Sequence, residues 1–156
     1  MVENQTDHAS VKIEPLILLL IHIFALFFLF WLAPLPFVFP GFLEWLGYAL
    51  IVIAIVLARS AIFQLRQAQT TAHPYRPVTD IVTSGPYRFS RNPIYLGFLC
   101  LLIGSSFALR SYLGLSLGLL FVVLMNTLVI QYEDGYLEKK FKDAYTSYKS
   151  RVRRWL

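Results

Sequence analysis

The polar residues best suited to chemistry lie in one short stretch of an otherwise apolar chain. Residues 84–97 have the sequence SGPYRFSRNPIYLG. The stretch contains two tyrosines and two arginines: Tyr87, Arg88, Arg91 and Tyr95. Ionisable groups beside a membrane are costly to keep, so they indicate a functional site with a partner of opposite charge. We expect that partner to be the acidic pair of Glu133 and Asp134, directly after the last apolar run. This pairing predicts a small membrane-embedded enzyme.

The composition places the chain in a membrane. Of 156 residues, 57% are hydrophobic, and the mean hydropathy is +0.60. Charge is segregated: Glu44 is the only charged residue between positions 15 and 58, and Arg110 is the only one between 92 and 132. A soluble core does not need two charge-poor runs of this length, whereas a bilayer does. We therefore predict a single domain, residues 1–156, that is an integral membrane protein.

The charge and cysteine content argue against nucleic acid and metal as partners. The net charge is +5, and the basic residues flank apolar runs, where anionic lipid head groups are the nearest counter-charge. Cys100 is the only cysteine, which excludes an intramolecular disulfide and a cysteine cluster for zinc. Glu3 and Asp7 precede the first apolar run, so we do not expect a secretory signal there.

Four transmembrane helices are predicted, over residues 15–32, 42–64, 93–109 and 112–130. Prolines between residues 33 and 41 end the first helix, because proline breaks the hydrogen-bond ladder. A reversal at residues 110–111 makes the last two helices an antiparallel hairpin. Gly114 and Gly118, spaced four apart, let helices pack closely. The predicted fold is therefore an all-α integral membrane protein.

Three polar segments complete the predicted organisation. Residues 1–12 are expected to be mobile, and residues 66–93 form a proline- and glycine-rich loop. Residues 132–156 form a tail with an amphipathic helix over 132–152, which would lie on an anionic leaflet. The central loop and the tail are rich in arginine and lysine, so both termini and the site are expected on the cytoplasmic side of a bacterial inner membrane.

Two motifs in this order resemble those of the isoprenylcysteine carboxyl methyltransferase family. They are GPYRFSRNPIYLG at residues 85–97 and ED-x-x-L-x-x-x-F-x-x-x-Y-x-x-Y-x-x-x-V-x-R, which begins at Glu133. This family is related to phospholipid N-methyltransferases and to small bacterial membrane methyltransferases, and the resemblance covers residues 68–155. It implies methyl transfer from S-adenosylmethionine to a lipophilic acceptor that enters from the bilayer. By resemblance, that acceptor is an isoprenylcysteine-like carboxylate.

The resemblance also implies which residues form the site. The family motif G-x-Y-x-x-x-R-[HN]-P-x-Y is matched from Gly85 to Tyr95. The Leu-Val pair that precedes this motif in the family corresponds to Ile81 and Val82, and the family's paired glutamates correspond to residues 133–134. The implied cofactor-binding residues are Ile81, Val82, Tyr87, Arg91, Asn92, Pro93, Tyr95, Glu133 and Asp134. The implied catalytic residues are Arg91 and Glu133.

Three positions depart from the family pattern. Asp134 is one methylene shorter than the usual glutamate. The usual Phe-Gly pair is Phe141–Lys142, and Val129 and Ile130 stand where prenylcysteine enzymes carry an arginine assigned to substrate.

The chemistry of S-adenosylmethionine suits these side chains independently. Arg91 can form a forked pair with its carboxylate, and Glu133 or Asp134 can accept hydrogen bonds from its ribose or ammonium. Tyr87 or Tyr95 can turn a ring face to the sulfonium. A carboxylate acceptor needs no general base, whereas an amine or thiol must first lose a proton. The absence of histidine from the motif favours an acceptor that is already deprotonated.

Other assignments stay open at this point. The acceptor can also be a phospholipid amine or a hydrophobic thiol. Two non-enzymatic functions are also open: a small four-span transporter and a non-catalytic membrane scaffold. For a transporter, His22 is the only ionisable residue suitably placed within a span. His22 and Asn126 are expected to pack between helices, and His73 is a candidate to flank the cofactor. The oligomeric state is not predicted.

Overall fold

The computed structural model describes residues 7–32 and 40–156, and their secondary structure is entirely helical. Six α-helices follow one another: α1 (Pro15–Leu32), α2 (Gly41–Gln67), α3 (Pro93–Ala108), α4 (Tyr112–Met125), α5 (Gln131–Phe141) and α6 (Asp143–Arg151). A 3-10 helix, Gly85–Arg88, precedes α3, and a π-helical turn, Asn126–Ile130, joins α4 to α5. The prediction of an all-α membrane protein is confirmed.

The helices α1 and α2 have the length and composition of membrane spans, and so does the continuous helix from Tyr112 to Phe141. The α3 helix is shorter, at 16 residues, or about 24 Å at the usual rise. Large apolar side chains such as Phe24, Trp31 and Trp45 are exposed on α1 and α2, as expected of surfaces that face lipid. The predicted turn between these helices lies mostly outside the described residues.

The turn from α3 to α4 confirms the predicted hairpin. Arg110 has a positive φ of 53°, and the Ser111 side chain accepts a hydrogen bond from the Gly114 amide, which caps α4. A Cβ at Gly114 would collide with Leu26 and Ser106, so this glycine allows α1, α3 and α4 to approach closely, as predicted.

A second close approach was not predicted from the sequence. A Cβ at Gly47 would lie 2.7 Å from the carbonyl oxygen of Gly104, and a Cβ at Gly104 would lie 2.8 Å from that of Gly47. The two glycines therefore bring the backbones of α2 and α3 into contact. At the same end of the bundle, Arg110 donates to Glu44 at 2.6 Å. The isolated charges of the two apolar runs thus pair with each other.

The predicted single tail helix over residues 132–152 is wrong. The fourth membrane helix continues through the π-helical turn into α5 and ends at Phe141. Lys142 then adopts φ 45° and ψ −119°, a backbone conformation that favours glycine, and the chain reverses into α6. The reversal falls at the position where the family pattern has glycine. It returns α6 to the loop before α3.

The expectation of a mobile N-terminus is also wrong for the part that the structure describes. Ala9 and Val11 are buried, the Ala9 amide donates to the carbonyl of Pro74, and the Lys12 amide donates to that of Leu128. Apolar side chains in this short segment supply the burial that holds it in place. Residues 1–6 lie outside the described residues.

His22 is packed in the bundle, as predicted. Its Nδ1 lies 2.8 Å from the Leu18 carbonyl, and its ring meets Phe121 edge-on at 5.3 Å between centroids. Asn126 differs from the prediction of a bond between membrane helices. Its side-chain oxygen accepts hydrogen bonds from Arg154 and Trp155, in the C-terminal tail.

Candidate active site

The segments with polar side chains meet at one end of the helical bundle and enclose a cavity of about 590 Å³. The N-terminal segment, α2, the central loop, α3, α5 and α6 all contribute to its wall. The nine residues predicted to bind the cofactor all line it: Ile81, Val82, Tyr87, Arg91, Asn92, Pro93, Tyr95, Glu133 and Asp134. Their assignment to a ligand remains a prediction, but the cavity brings all of them together.

Arg91 and Asp134 form a buried ion pair in this wall. The Arg91 Nη1 donates to Asp134 Oδ1 at 2.9 Å, and the two side chains are only 7% and 8% exposed. Tyr145 of α6 joins them: its hydroxyl donates to the same carboxylate oxygen at 2.5 Å and accepts from Arg91 at 3.1 Å. Charge-assisted hydrogen bonds of this kind are stronger than neutral ones, so they fix the loop before α3 relative to α5 and α6.

Arg91 retains unused hydrogen-bonding capacity. Among the described residues, its Nη2 makes no hydrogen bond, and its Nε is buried without a partner. An unsatisfied buried donor costs about 1–3 kcal/mol. The guanidinium of Arg91 is therefore well suited to accept an additional anionic partner from the cavity.

Glu133 is held differently from its neighbour. Its Oε1 accepts from the Tyr95 hydroxyl at 2.6 Å, and Oε2 makes no hydrogen bond to the described residues. Tyr95 lies in the first turn of α3, on the face that packs against α5. One oxygen of Glu133 thus anchors the side chain, and the other is available to a donor in the cavity.

Asn92 and Pro93 set the start of α3. Pro93 occupies the first helical position, where its missing N–H costs nothing. The side-chain Nδ2 of Asn92 donates to the carbonyl of Arg154 at 3.1 Å, and its backbone N–H donates to Ser90 Oγ at 3.1 Å. The side-chain amide of Asn92 therefore holds the C-terminal tail.

Ile81 and Val82 lie in the loop on the side of the cavity nearest α2. The Ile81 amide donates to the Asp80 carboxylate at 2.7 Å. Val82 packs against a small apolar cluster that includes Ala61, Leu65 and Tyr87. This packing holds the backbone of Val82 beside the cavity.

Three tyrosines near the cavity remain neutral over the physiological pH range. Burial raises the pKa of Tyr87 and of Tyr145 well above the ordinary value, and it raises the pKa of Tyr148 to about 12. The Tyr148 hydroxyl donates to the Tyr87 carbonyl at 2.7 Å and so attaches α6 to the loop. Residues Tyr145 and Tyr148 thus both pack α6 and shape the cavity.

Sequence reasoning missed several residues at the cavity. Arg154, beside the cavity, donates from Nη2 to Asp134 Oδ2 at 2.9 Å; it is the arginine that ends the second motif, two residues after Val152, but no role was predicted for it. Glu14 lines the cavity and lies 3.9 Å from His73, the histidine that the sequence marked as a candidate. With Asp80, the described part of the wall has four carboxylates and one guanidinium, that of Arg91. Only the charge of Glu14 and its position before an apolar run would have suggested it.

Comparison with known proteins identifies the class to which this fold and cavity belong. The chain matches the phospholipid methyltransferase family over residues 42–144, which is well over half of its length. It therefore belongs to the phospholipid methyltransferase family, which includes the isoprenylcysteine carboxyl methyltransferase-like membrane enzymes, and the resemblance seen in the sequence is confirmed. Family membership indicates a membrane methyltransferase.

A single relative illustrates the match at the level of individual proteins. A segment of 63 residues is 38% identical to an uncharacterised protein of Haemophilus influenzae; it spans 40% of this chain and the whole of that protein. No solved structure matches the chain at a significant level.

Proposed function

We propose that this protein transfers a methyl group from S-adenosylmethionine to a lipophilic acceptor within the membrane. The observation that carries the proposal is the pair of unused groups in one cavity wall. Among the described residues, Arg91 has guanidinium donors without a partner and Glu133 has a carboxylate oxygen without one, although Arg91 lies in the loop before α3 and Glu133 lies in α5. A ligand with both an anionic group and hydrogen-bond donors satisfies both side chains.

The residues present fit this cofactor. Arg91 would hold the methionine carboxylate, Glu133 would accept from the ribose hydroxyls or the ammonium, and the backbone of residues 81–82 would hold the adenine. A volume of about 590 Å³ lies within the usual range of roughly 300–1,000 Å³ for small-molecule sites. Asp134 has both oxygens bonded to protein donors, so we assign it the role of positioning Arg91.

The bound cofactor supplies an activated methyl group with its own leaving group. The chain then has to align the acceptor with that methyl group and keep water away. Tyr87 and Tyr95 are buried at the cavity wall and can present ring faces to the sulfonium. Arg91 and Glu133 act by orienting the two ends of the cofactor, and no proton transfer is needed when the acceptor is a carboxylate.

The apolar part of the cavity suits a lipophilic acceptor. Pro15 and Leu16 at the start of α1, with Ala58 and Ile62 of α2, line the side that is nearest to the membrane core. An isoprenylcysteine-like carboxylate is the first candidate acceptor. The cytoplasmic side of a bacterial inner membrane is the proposed location of the site, because the flanking segments are basic.

A phospholipid amine is the second candidate, and one observation favours it. Glu14 and Asp80 add two carboxylates to the cavity wall, and an acidic wall attracts a cationic acceptor. An amine must lose a proton before it attacks, and Glu14 and His73, which lie 3.9 Å apart between Oε1 and Nε2, are side chains of this wall that could accept it.

Calorimetric titration of the detergent-purified protein with S-adenosylmethionine tests the proposed cofactor. We expect micromolar binding by the wild type and a loss of at least tenfold in Arg91→Ala and Glu133→Ala. Arg110→Ala and Glu44→Ala are matched controls, because they remove the same residue types at the opposite end of the bundle. Wild-type protein that releases no heat would refute the proposal and favour a transporter or a scaffold.

A labelling experiment tests the acceptor. Purified protein is incubated with methyl-labelled S-adenosylmethionine and vesicles that contain either a phosphatidylethanolamine or a farnesylcysteine analogue. Base-labile label in the farnesylcysteine product indicates a methyl ester and supports the carboxylate. Base-stable label in the phospholipid supports the amine, and we expect Glu14→Gln to reduce only that reaction.

A further inference from the structure

The last residues of the chain are bound to the loop that carries Arg91. We call residues 152–156 the C-terminal strap. The Arg91 amide donates to the Arg153 carbonyl at 3.0 Å, while Ser90 Oγ and Asn92 Nδ2 donate to the Arg154 carbonyl at 3.2 and 3.1 Å. Three consecutive residues of the loop therefore bond to two consecutive carbonyls of the strap. This contact is part of the site's wall, because Arg91 and Asn92 line the cavity.

The side chain of Arg154 reaches from the strap into the acidic cluster. Its Nη2 donates to Asp134 Oδ2 at 2.9 Å, and its Nη1 donates to Asn126 Oδ1 at 3.3 Å. Trp155 donates from Nε1 to the same Asn126 oxygen at 3.3 Å. Asn126 lies in the π-helical turn between α4 and α5. Both terminal nitrogens of the Arg154 guanidinium are thus hydrogen-bonded.

The two oxygens of Asp134 are divided between two arginines. Oδ1 accepts a hydrogen bond from Arg91 Nη1, and Oδ2 accepts one from Arg154 Nη2. An arginine and a carboxylate that meet alone favour a bidentate pair with two parallel hydrogen bonds. By occupying Oδ2, Arg154 leaves Arg91 a single hydrogen bond to Asp134, and Arg91 Nη2 and Nε have no partner among the described residues.

We propose that Arg154 is a positioning residue that keeps Arg91 from pairing bidentately with Asp134 and so leaves its guanidinium ready for the cofactor carboxylate. This inference rests on the proposed function, because it names how the same cavity is prepared for its ligand. Without Arg154, the guanidinium of Arg91 turns onto both oxygens of Asp134, and the cofactor has to break that pair in order to bind.

Calorimetry and kinetics on Arg154 variants in detergent test the inference. We expect Arg154→Ala to weaken S-adenosylmethionine binding by about 10- to 100-fold, by analogy with the loss caused by removing a residue that orients a metal ligand. The kcat at saturating cofactor should stay within about threefold of wild type, because Arg154 touches neither reactant. Arg154→Lys should restore most of the affinity, since an ammonium can still occupy Oδ2. Arg154→Met keeps the length of the side chain without its charge and replaces the alanine variant if that variant does not fold.

Arg153→Ala is the matched control. Arg153 is the exposed neighbour in the strap, its side chain makes no hydrogen bond to the described residues, and its backbone carbonyl is unaffected by the change. We expect it to bind S-adenosylmethionine like the wild type.

The possible failures are distinguishable. Arg154→Ala that binds S-adenosylmethionine as tightly as the wild type, or that loses kcat and thermal stability with unchanged affinity, would overturn this inference alone. A wild-type protein without measurable binding would overturn the proposed function, and this inference with it. A Lys variant no better than the Ala variant would also count against the proposal, because a single donor at Oδ2 would then be insufficient.

Discussion

Substitution of Asp134 by asparagine tests whether the two neighbouring acids have separate roles. Asp134 accepts from Arg91, Arg154 and Tyr145 and is almost fully buried. Removal of one partner from a buried ion pair costs about 3–5 kcal/mol. The asparagine keeps one oxygen for Arg91, but its amide group faces the Nη2 donor of Arg154. We therefore expect a loss near the low end, about 3 kcal/mol.

The thermal midpoint translates this loss into a measurable shift. For a chain of this size, 1 kcal/mol corresponds to roughly 2–4 °C, so Asp134→Asn should unfold roughly 6–12 °C below the wild type. Tryptophan fluorescence of the detergent-purified protein is a suitable signal, because Trp155 contacts Asn126 beside the acidic cluster.

Glu133→Gln is the matched comparison. The glutamine retains a carbonyl oxygen for the Tyr95 hydroxyl, so we expect a shift of at most roughly 2–4 °C, the equivalent of one neutral hydrogen bond. Its affinity for S-adenosylmethionine should nevertheless fall at least tenfold. If Asp134→Asn unfolds within 2 °C of the wild type, or if Glu133→Gln shows the larger shift, the separation of roles argued for these acids is incorrect.

Three further predictions test the fold, two of them with a matched control substitution. Lys142→Gly should raise the thermal midpoint by roughly 2–4 °C, because glycine tolerates φ 45° without strain, whereas Lys139→Gly inside α5 should lower it. Gly104→Ala should destabilise the protein by about 1–3 kcal/mol in chemical unfolding, because its methyl group would lie 2.8 Å from the carbonyl oxygen of Gly47 in α2. Gly118→Ala should destabilise it less, because the nearest atom to its methyl group is a side-chain carbon of Ile103 at 3.3 Å. Burial raises the pKa of Tyr148 to about 12, so folding favours its neutral form. That stabilisation is complete below pH 10 and is lost as the pH rises from about 10 to 12. In a pH series of thermal melts, Tyr148→Phe should therefore lose less thermal stability at alkaline pH than the wild type.

The membrane helices could be predicted from the sequence because charge is so unevenly distributed. Glu44 and Arg110 are isolated in long apolar runs, and the boundaries of α1 follow from Pro15 and the prolines after Leu32. The grouping of the cavity residues was also predictable, since two motifs beside consecutive spans must meet at one end of a helical bundle. The charge distribution and the order of the two motifs can both be read directly from a single sequence.

The segments that complete the site were not predictable in the same way. The amphipathic pattern of the tail continues without interruption through Lys142, so periodicity alone gives one helix, whereas the chain reverses there. The N-terminal segment and the C-terminal strap are held by backbone hydrogen bonds, such as those between Ala9 and Pro74 and between Arg91 and Arg153. Backbone bonds between distant residues leave little trace in the types of side chain.

The different environments of Glu133 and Asp134 follow from their position on one helix. Successive helical residues point about 100° apart, so the two adjacent acids point in different directions. Glu133 faces Tyr95 on α3, whereas Asp134 faces Arg91 and α6. The shorter aspartate, a departure from the family's paired glutamates, is sufficient here because two arginines and a tyrosine all reach its carboxylate. Within the acidic pair, Glu133 is therefore oriented to the cavity, and Asp134 holds the arginine beside it.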